Sequence, residues 1–283
     1  MLKLALQKSG RLSEDSLALI KECGIALNRH DKRLKTRAAN FPIEILFLRD
    51  DDIPEYIADG VVDAGIIGEN LLAERDRPVQ VQERLGFSKC RLCIAVPKDA
   101  AYSGPQSLAG KSIATSYPTS LKRFLSSHRV EAAIREITGS TEIAPSIGLA
   151  DAICDLVSSG STLLSNGLRE VETVLGSEAV LASAHDLPPE KASILQQLLF
   201  RVRAVLRARQ YKYILLNAPD ERLPDILNVL PGLKAPTVMP LAESGWSSVH
   251  TVIREDEFWE RIERLKQAGA QGILVCPIEK LID

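Results

Sequence analysis

Apolar positions fall into short runs separated by turns, and the runs alternate in period along most of the chain. Residues 2–6, 43–48, 61–68, 91–97 and 112–115 are compact apolar runs bounded by glycine, proline or charge. These read as strands of a buried sheet. Residues 130–137, 169–175 and 178–182 extend the same pattern. Helices are predicted between them. Ser13 caps one that stops at Gly24, with Glu14 and Asp15 in its first turn. Asp50, Asp51, Asp52 and Pro54 open another that ends at Gly60. Glu69 and Asn70 start a short one, and Tyr117, Pro118 and Thr119 open one that carries Lys122 and Arg123. Residues 187–210 form the longest helical pattern: Ile194, Leu198, Val202, Val205 and Leu206 share a face, and Arg201, Arg203, Arg207 and Arg209 form its wet side. Strands alternating with helices predict an α/β fold.

The pattern changes after residue 210. Residues 211–216, 237–241, 248–254 and 271–277 read as strands, and residues 221–230 and 255–268 as helices. The order β-α-β-β-α-β predicts a split, ferredoxin-like unit. Appended to an α/β body, such a unit suggests regulation or assembly, by analogy alone.

The stretch most suggestive of chemistry is 142–163. Leu149, Ile153, Leu156 and Val157 recur at helical spacing and predict a helix. Asp151 and Asp155 then share an exposed face, where like charges four apart cost about 0.2–0.5 kcal/mol. Ligand hydroxyls or a cation would offset that cost. Ser158, Ser159, Gly160, Ser161 and Thr162 follow. Gly160 permits a left-handed turn that aims several N–H groups at one anion, and the hydroxyls add donors. Acids for a ribose followed by an amide cradle for its phosphate suit a phosphorylated sugar. An ordinary helix with a polar end fits the stretch equally well.

Other candidates lie where strands end. Lys8 and Arg11 follow the first strand around Gly10, at the sheet edge where open α/β folds bind ligands. Arg49 follows the second. Asp63 interrupts an apolar run and needs a partner or a ligand if buried. Gly65 and Gly68 permit close approach. The basic run of Arg29, Lys32, Arg33, Lys35 and Arg37 reads as a solvated face rather than a lid over an anion. Cys90 and Cys93 have a zinc-like spacing. With no second pair, they read as structural.

The totals narrow these readings. At 283 residues, about two or three domains are expected. A net charge of −2 argues against a nucleic-acid or membrane-surface partner. No apolar run reaches the roughly 18–20 residues of a membrane span, and the first residues read as a strand rather than a signal peptide. A cytoplasmic protein is expected. Its five scattered cysteines fit reduced thiols. His30, His128, His185 and His250 lie in separate segments, and no phosphate-loop or dinucleotide fingerprint is present. The chemistry therefore needs positioning and charge more than a side-chain nucleophile.

The stretch from Glu142 through Gly148, Asp151, Asp155 and Ser158–Thr162 resembles the signature of the ATP phosphoribosyltransferase family. Other blocks resemble the same family: residues 7–12, 49–54 with 59–63, and 236–241. The resemblance spans nearly the whole chain and its long, self-regulated form. It implies a bilobal, periplasmic-binding-protein-like catalytic body and a C-terminal regulatory domain. Residues 1–91 with 181–210 would form one lobe, 92–180 the lobe that binds phosphoribosyl pyrophosphate (PRPP), and 211–283 the histidine-binding domain. It implies Mg²⁺-dependent transfer of the 5-phosphoribosyl group from PRPP to N1 of ATP, the first step of histidine biosynthesis, with histidine as inhibitor and dimers assembling into hexamers.

By that resemblance, Glu142, Asp151, Asp155 and residues 158–162 handle PRPP, and Mg²⁺ is held mainly through PRPP itself, with the three acids as candidate contacts. Lys8, Arg11 and Arg49 would bind ATP or pyrophosphate phosphates, and Asp63 would lie near the adenosine. Asn217, Leu233, Thr237, Val252 and Gly272 would line the histidine pocket. Two other readings use the same features: a two-lobed solute-binding or effector-sensing protein without catalysis, and a phosphoribosyltransferase for another base.

Overall fold

The computed structural model describes residues 1–27, 34–230, 232 and 235–282. The chain folds into two compact units, Met1–Lys21 with Ile25–Gln196, and Glu22–Gly24 with Gln197–Asp283.

The first unit holds two sheets. Strand β1 (Leu2–Gln7) leads into helix α1 (Arg11–Glu22), followed by β2 (Lys35–Arg37), β3 (Ile43–Leu48), α2 (Ile53–Ala58), β4 (Ala64–Gly68), α3 (Glu69–Arg75) and β5 (Val79–Arg84). The chain then crosses to a second sheet through β6 (Cys90–Pro97), β7 (Ser112–Thr115), α4 (Pro118–Ser127), β8 (Ala133–Glu136), β9 (Ala152–Val157), α5 (Ser161–Ser165) and β10 (Leu168–Ser177). It returns through β11 (Ala179–Ala184) into α6 (Pro189–Ala208). The strand orders are β2-β3-β1-β4-β11-β5 and β10-β6-β9-β7-β8. Each sheet has three adjacent parallel strands, β3-β1-β4 at the centre of the first and β9-β7-β8 at one side of the second.

Close approach of α2 to β4 depends on Gly65, because a Cβ there would lie 2.7 Å from Ile53 Cγ2. Ile53, Ile57, Val62 and Ile67 pack together at that contact. On β3, Glu44 is buried and takes ion pairs from Lys35 at 3.1 Å and Arg37 at 2.9 Å. Burial works against its charge, yet Arg37 and Lys35 hold its carboxyl below the usual range. Two cations of the basic run are thus fastened to the sheet; Arg29, Lys32 and Arg33 lie outside the described residues. Cys93 is buried and donates to Glu170 Oε1 at 3.0 Å.

The helix expected at the heart of 142–163 is a strand. β9 lies between β6 and β7, so both its edges are paired, and core clusters cover both its faces. Ile153 packs with Ala114 and Leu163 on one side, and Cys154 with Ile113 and Leu121 on the other. A strand buried on both faces shows a continuous apolar run, which period alone does not separate from a buried helix. Two other strands are shorter than expected: β4 begins at Ala64 and β8 at Ala133.

The second unit contains β12 (Tyr211–Pro219), α7 (Leu223–Val229), β13 (Thr237–Pro240), β14 (Trp246–Arg254), α8 (Phe258–Gln267) and β15 (Gln271–Pro277). Its sheet runs β13-β14-β12-β15, antiparallel throughout. This is the expected ferredoxin-like unit. Ile214, Leu216 and Ala218 of β12 pack with Ile226, Val229 and Leu265 of the helices.

Candidate active site

Parallel strands release their following loops at one sheet edge: β7 and β8 end level at Thr115 and Glu136, and β9 runs on past Cys154, the partner of Thr115, to Val157. Beyond β9, Gly160 adopts φ +79° and caps α5. The first amides of a helix have no partner within it. Among the described residues, the amides of Ser159, Gly160, Ser161 and Thr162 donate to no protein acceptor. Arg91 braces the turn from behind, donating to the Ser158 carbonyl at 3.4 Å while held by Glu170. Ser159 and Ser161 hydroxyls lie 3.0 Å apart.

A pocket of about 120 Å³ opens over this turn, lined by Glu142, Asp155, Ser158, Ser159, Gly160 and Thr162. It is below the size of a drug-like ligand site and suits a phosphate with part of its sugar. Glu142 arrives on a 3₁₀ turn, Thr141–Ile143. Asp155 is half-buried, and burial raises its pKa. The Leu156 amide, at 2.7 Å from Oδ1, and the Thr141 hydroxyl pull the other way, while Glu142 pushes it further up. Two carboxylates thus share a small pocket with a set of unengaged N–H donors.

Asp151 lies elsewhere. It precedes β9, at the opposite end from Asp155, roughly 13 Å along the strand at about 3.3 Å per residue. Its Oδ2 accepts from the Ser112 amide at 2.8 Å and the Ser112 hydroxyl at 2.7 Å. Those bonds hold its carboxyl below the usual range.

At the six-stranded sheet, β1 and β3 are in register, Gln7 opposite Leu48. Lys8 and Arg49 therefore emerge side by side, joined through Lys8 N to Leu48 O at 2.8 Å. Arg11 begins α1 just past Gly10. All three are exposed, and none forms an ion pair among the described residues. Asp63 sits at the other edge, before β4. It is buried, with Oδ2 accepting from Lys3 N and Oδ1 paired to Lys191, each at 2.7 Å. Both oxygens are thus engaged within the protein.

A larger cleft of about 640 Å³ joins the two sheets, lined by Asp50, Asp51, Glu55, Glu74, Arg75, Tyr117, Glu136, Thr138 and others. Its volume falls in the range of small-molecule sites. In the sequence, Asp50 and Asp51 read as helix-start acids, and Tyr117 and Glu74 carry no sign of a site. Their shared signal is position: Asp50 and Tyr117 follow strands β3 and β7 at carboxyl edges. Burial, then Asp155, then Asp51 and Asp50 all push the Tyr117 phenol upward. Tyr117 therefore stands within the electrostatic reach of both the cleft acids and the small pocket.

In the second unit, Asn217 pairs with Ser248 and Gln271, beside Gly272. Thr237 pairs with His250 and Val252 with Tyr213. Asn217, Thr237 and Val252 alternate with the residues packed against the helices, which puts them on the opposite sheet face. There Tyr213 Oη lies 2.6 Å from His250 Nδ1. Leu233 falls outside the described residues.

Comparison with known proteins identifies the family. A family model described as ATP phosphoribosyltransferase matches residues 49–204. The chain belongs to the ATP phosphoribosyltransferase family. A second family model, "HisG, C-terminal domain", matches residues 208–280. Curated ATP phosphoribosyltransferases from Cytophaga hutchinsonii and Bacteroides fragilis are 57% and 55% identical over 282 residues, covering 100% of this chain and 99% and 100% of theirs. A solved ATP phosphoribosyl transferase (HisG:HisZ) complex from Thermotoga maritima shares 28% identity and a TM-score of 0.61, over 72% of this chain and 99% of that one. The 208–280 match extends the family relationship to the ferredoxin-like unit, as expected for the long form.

Proposed function

We propose that this chain transfers the 5-phosphoribosyl group of PRPP to N1 of ATP, opening histidine biosynthesis. The bond from the ribose anomeric carbon to pyrophosphate breaks, and a bond to N1 forms. N1 of adenine carries its own lone pair, so no general base is required. The observation that carries the reading is the pocket uniting Glu142 and Asp155 with the turn 158–162. The unengaged amides and hydroxyls of that turn bind the 5′-phosphate. Asp155 and Glu142 face the ribose, where fixed carboxylates stabilise the positive charge that develops at the anomeric carbon.

Mg²⁺ fits this donor set in one way. No group of three metal-binding side chains converges among the described residues, whereas Mg²⁺ is commonly held by one or two carboxylates plus substrate phosphates. Glu142 and Asp155 are the carboxylates that would share it with PRPP; Asp151 is tied to Ser112. When bound, the ion neutralises the departing pyrophosphate. Lys8, Arg11 and Arg49 bind the remaining phosphates from the basic edge, and the acid-lined cleft takes the purine. Asp63 serves as a structural ion pair rather than an adenosine contact.

The two sheets of the first unit are read as catalytic lobes, 1–91 with 181–210 and 92–180, and 211–283 as the regulatory domain. Histidine is read as binding the face of that domain's sheet opposite its helices, around Asn217, Thr237, Val252 and Gly272. Assembly into dimers and hexamers and a cytoplasmic location complete the reading. No described helix is long and apolar enough to cross a membrane. The test is incubation with ATP, PRPP and Mg²⁺ while following near-ultraviolet absorbance, because substitution at N1 alters the adenine chromophore. A change that requires all three supports the reading. Retention of PRPP without any change refutes it.

A further inference from the structure

Glu74 lies on α3, a helix of the six-stranded sheet, yet its carboxylate serves α4, a helix of the five-stranded sheet. Oε1 accepts from the Thr119 amide at 2.8 Å. Oε2 accepts from the Ser120 amide at 2.9 Å and the Ser120 hydroxyl at 2.7 Å. The chain position that precedes α4, Tyr117, supplies no side-chain cap. The capping group comes instead from 45 residues away. An ionised acceptor on the free amides of a helix start is among the stronger protein hydrogen bonds. Arg123 adds to the contact, donating to the Ala73 carbonyl at 2.8 Å and pairing with Asp76 at 2.8 Å.

The chain itself connects the two sheets at only two places, between β5 and β6 and between β10 and β11. The α3–α4 contact adds a connection made by side chains; Asn70 of α3 makes another near the second crossing, where Ser177 Oγ of β10 accepts from the Asn70 amide and donates to its Oδ1. The α3–α4 contact stands beside the large cleft, whose wall includes Glu74 and Thr119. On its other side is a cavity of about 470 Å³ that includes Ala73, Ser120 and Arg123.

We infer that Glu74 is a positioning residue that latches the two sheets together and thereby sets the width of the cleft. It acts through α4: with the helix start held, Tyr117 at one wall stays opposite Asp50 and Asp51 at the other. The consequence for ATP rests on the cleft being the nucleotide site; the latch itself does not.

The test uses the full chain with Glu74→Ala and Glu74→Gln. Hydrogen exchange of the Thr119 and Ser120 amides reads the latch directly. Steady-state kinetics read its effect on the cleft. The latch predicts faster exchange at both amides in Glu74→Ala and a KM for ATP raised about tenfold, a larger factor than any fall in kcat. Glu74→Gln keeps one carbonyl acceptor and falls between; it carries the test alone if the alanine variant does not fold. Added acetate, a free carboxylate, lowers the raised KM. Unchanged exchange at Thr119 and Ser120 in both variants overturns the latch. Faster exchange with an unchanged KM overturns its control of the cleft. Absence of turnover in the unaltered chain counts against the transferase reading alone, because the exchange measurement stands without activity.

Discussion

Asp151 stands just before strand β9 and Asp155 in its carboxyl half, one hydrogen-bonded to Ser112 and the other in a pocket with Glu142. Their four-residue spacing looks like a shared helical face, but the backbone is extended and separates them by about 13 Å. The two acids therefore divide their work. Asp151 ties β9 to the start of β7, and Asp155 faces the proposed ribose. Asp155→Asn should lower kcat by about 100-fold or more. Asp151→Asn should keep turnover and lose about 1 kcal/mol of stability. Turnover assays with urea unfolding of both variants check the division; equal loss of activity in the two would contradict it.

Asp155 also sets a pH dependence. Burial raises its pKa above the ordinary value, so it takes up a proton at higher pH than a free carboxyl does. The ionised form that faces the anomeric carbon is then lost earlier on acidification. The acid limb of kcat/KM should lie above the usual aspartate range and leave Asp151→Asn unaffected. The sign for stability is opposite to that for activity. A carboxyl whose folded pKa exceeds its unfolded pKa makes the fold weaker as pH rises through that interval. Asp155→Asn should therefore be more stable than the parent chain at neutral pH while turning over far more slowly.

Gly160 holds a left-handed backbone at φ +79° at the entrance to α5. Space exists for a methyl group, with Val157 Cγ1 at 3.9 Å, so strain rather than collision is the cost of adding one. Gly160→Ala should destabilise the fold by about 1–2 kcal/mol. It should also raise the KM for PRPP more than that for ATP, as the amides turn away from the phosphate. Thermal melts and initial rates with each substrate varied would check both effects. An unchanged KM for PRPP would remove the turn from the binding site.

Glu44 offers a stability test outside the pocket. Its carboxyl is held below the usual 4.5 by Arg37 and Lys35 despite burial. A depressed folded pKa contributes stability that is present above about 4.5 and lost as pH falls through the folded value. Glu44→Gln should cost about 1–3 kcal/mol at neutral pH. The difference from the parent chain should shrink in acid, which urea unfolding at a series of pH values would show.

Strand ends and the C-terminal β-α-β-β-α-β order were readable in the sequence because period and turn residues agree there. Lys8 and Arg49 followed from the same logic: parallel strands in register deliver their next residues to one edge. The misreading of β9 has a physical cause. Ala152, Ile153, Cys154 and Val157 are buried on both faces, which erases the alternation that marks a strand. Asp63 was legible as an acid needing a partner, but the partner, Lys191, lies 128 residues on. Tyr117 and Glu74 carry no sign of a site, and Asp50 and Asp51 read locally as helix-start acids. Only the facing of two sheets puts them around one cleft, and a single sequence holds no record of that pairing.

The crystal structure of the chain with PRPP and Mg²⁺ tests the central claim most directly. The 5′-phosphate should lie within hydrogen-bond distance of the amides from Gly160 to Thr162, with the ribose hydroxyls toward Asp155 and Glu142. A 5′-phosphate at Lys8, Arg11 and Arg49, with the turn at 158–162 left empty, would contradict the account.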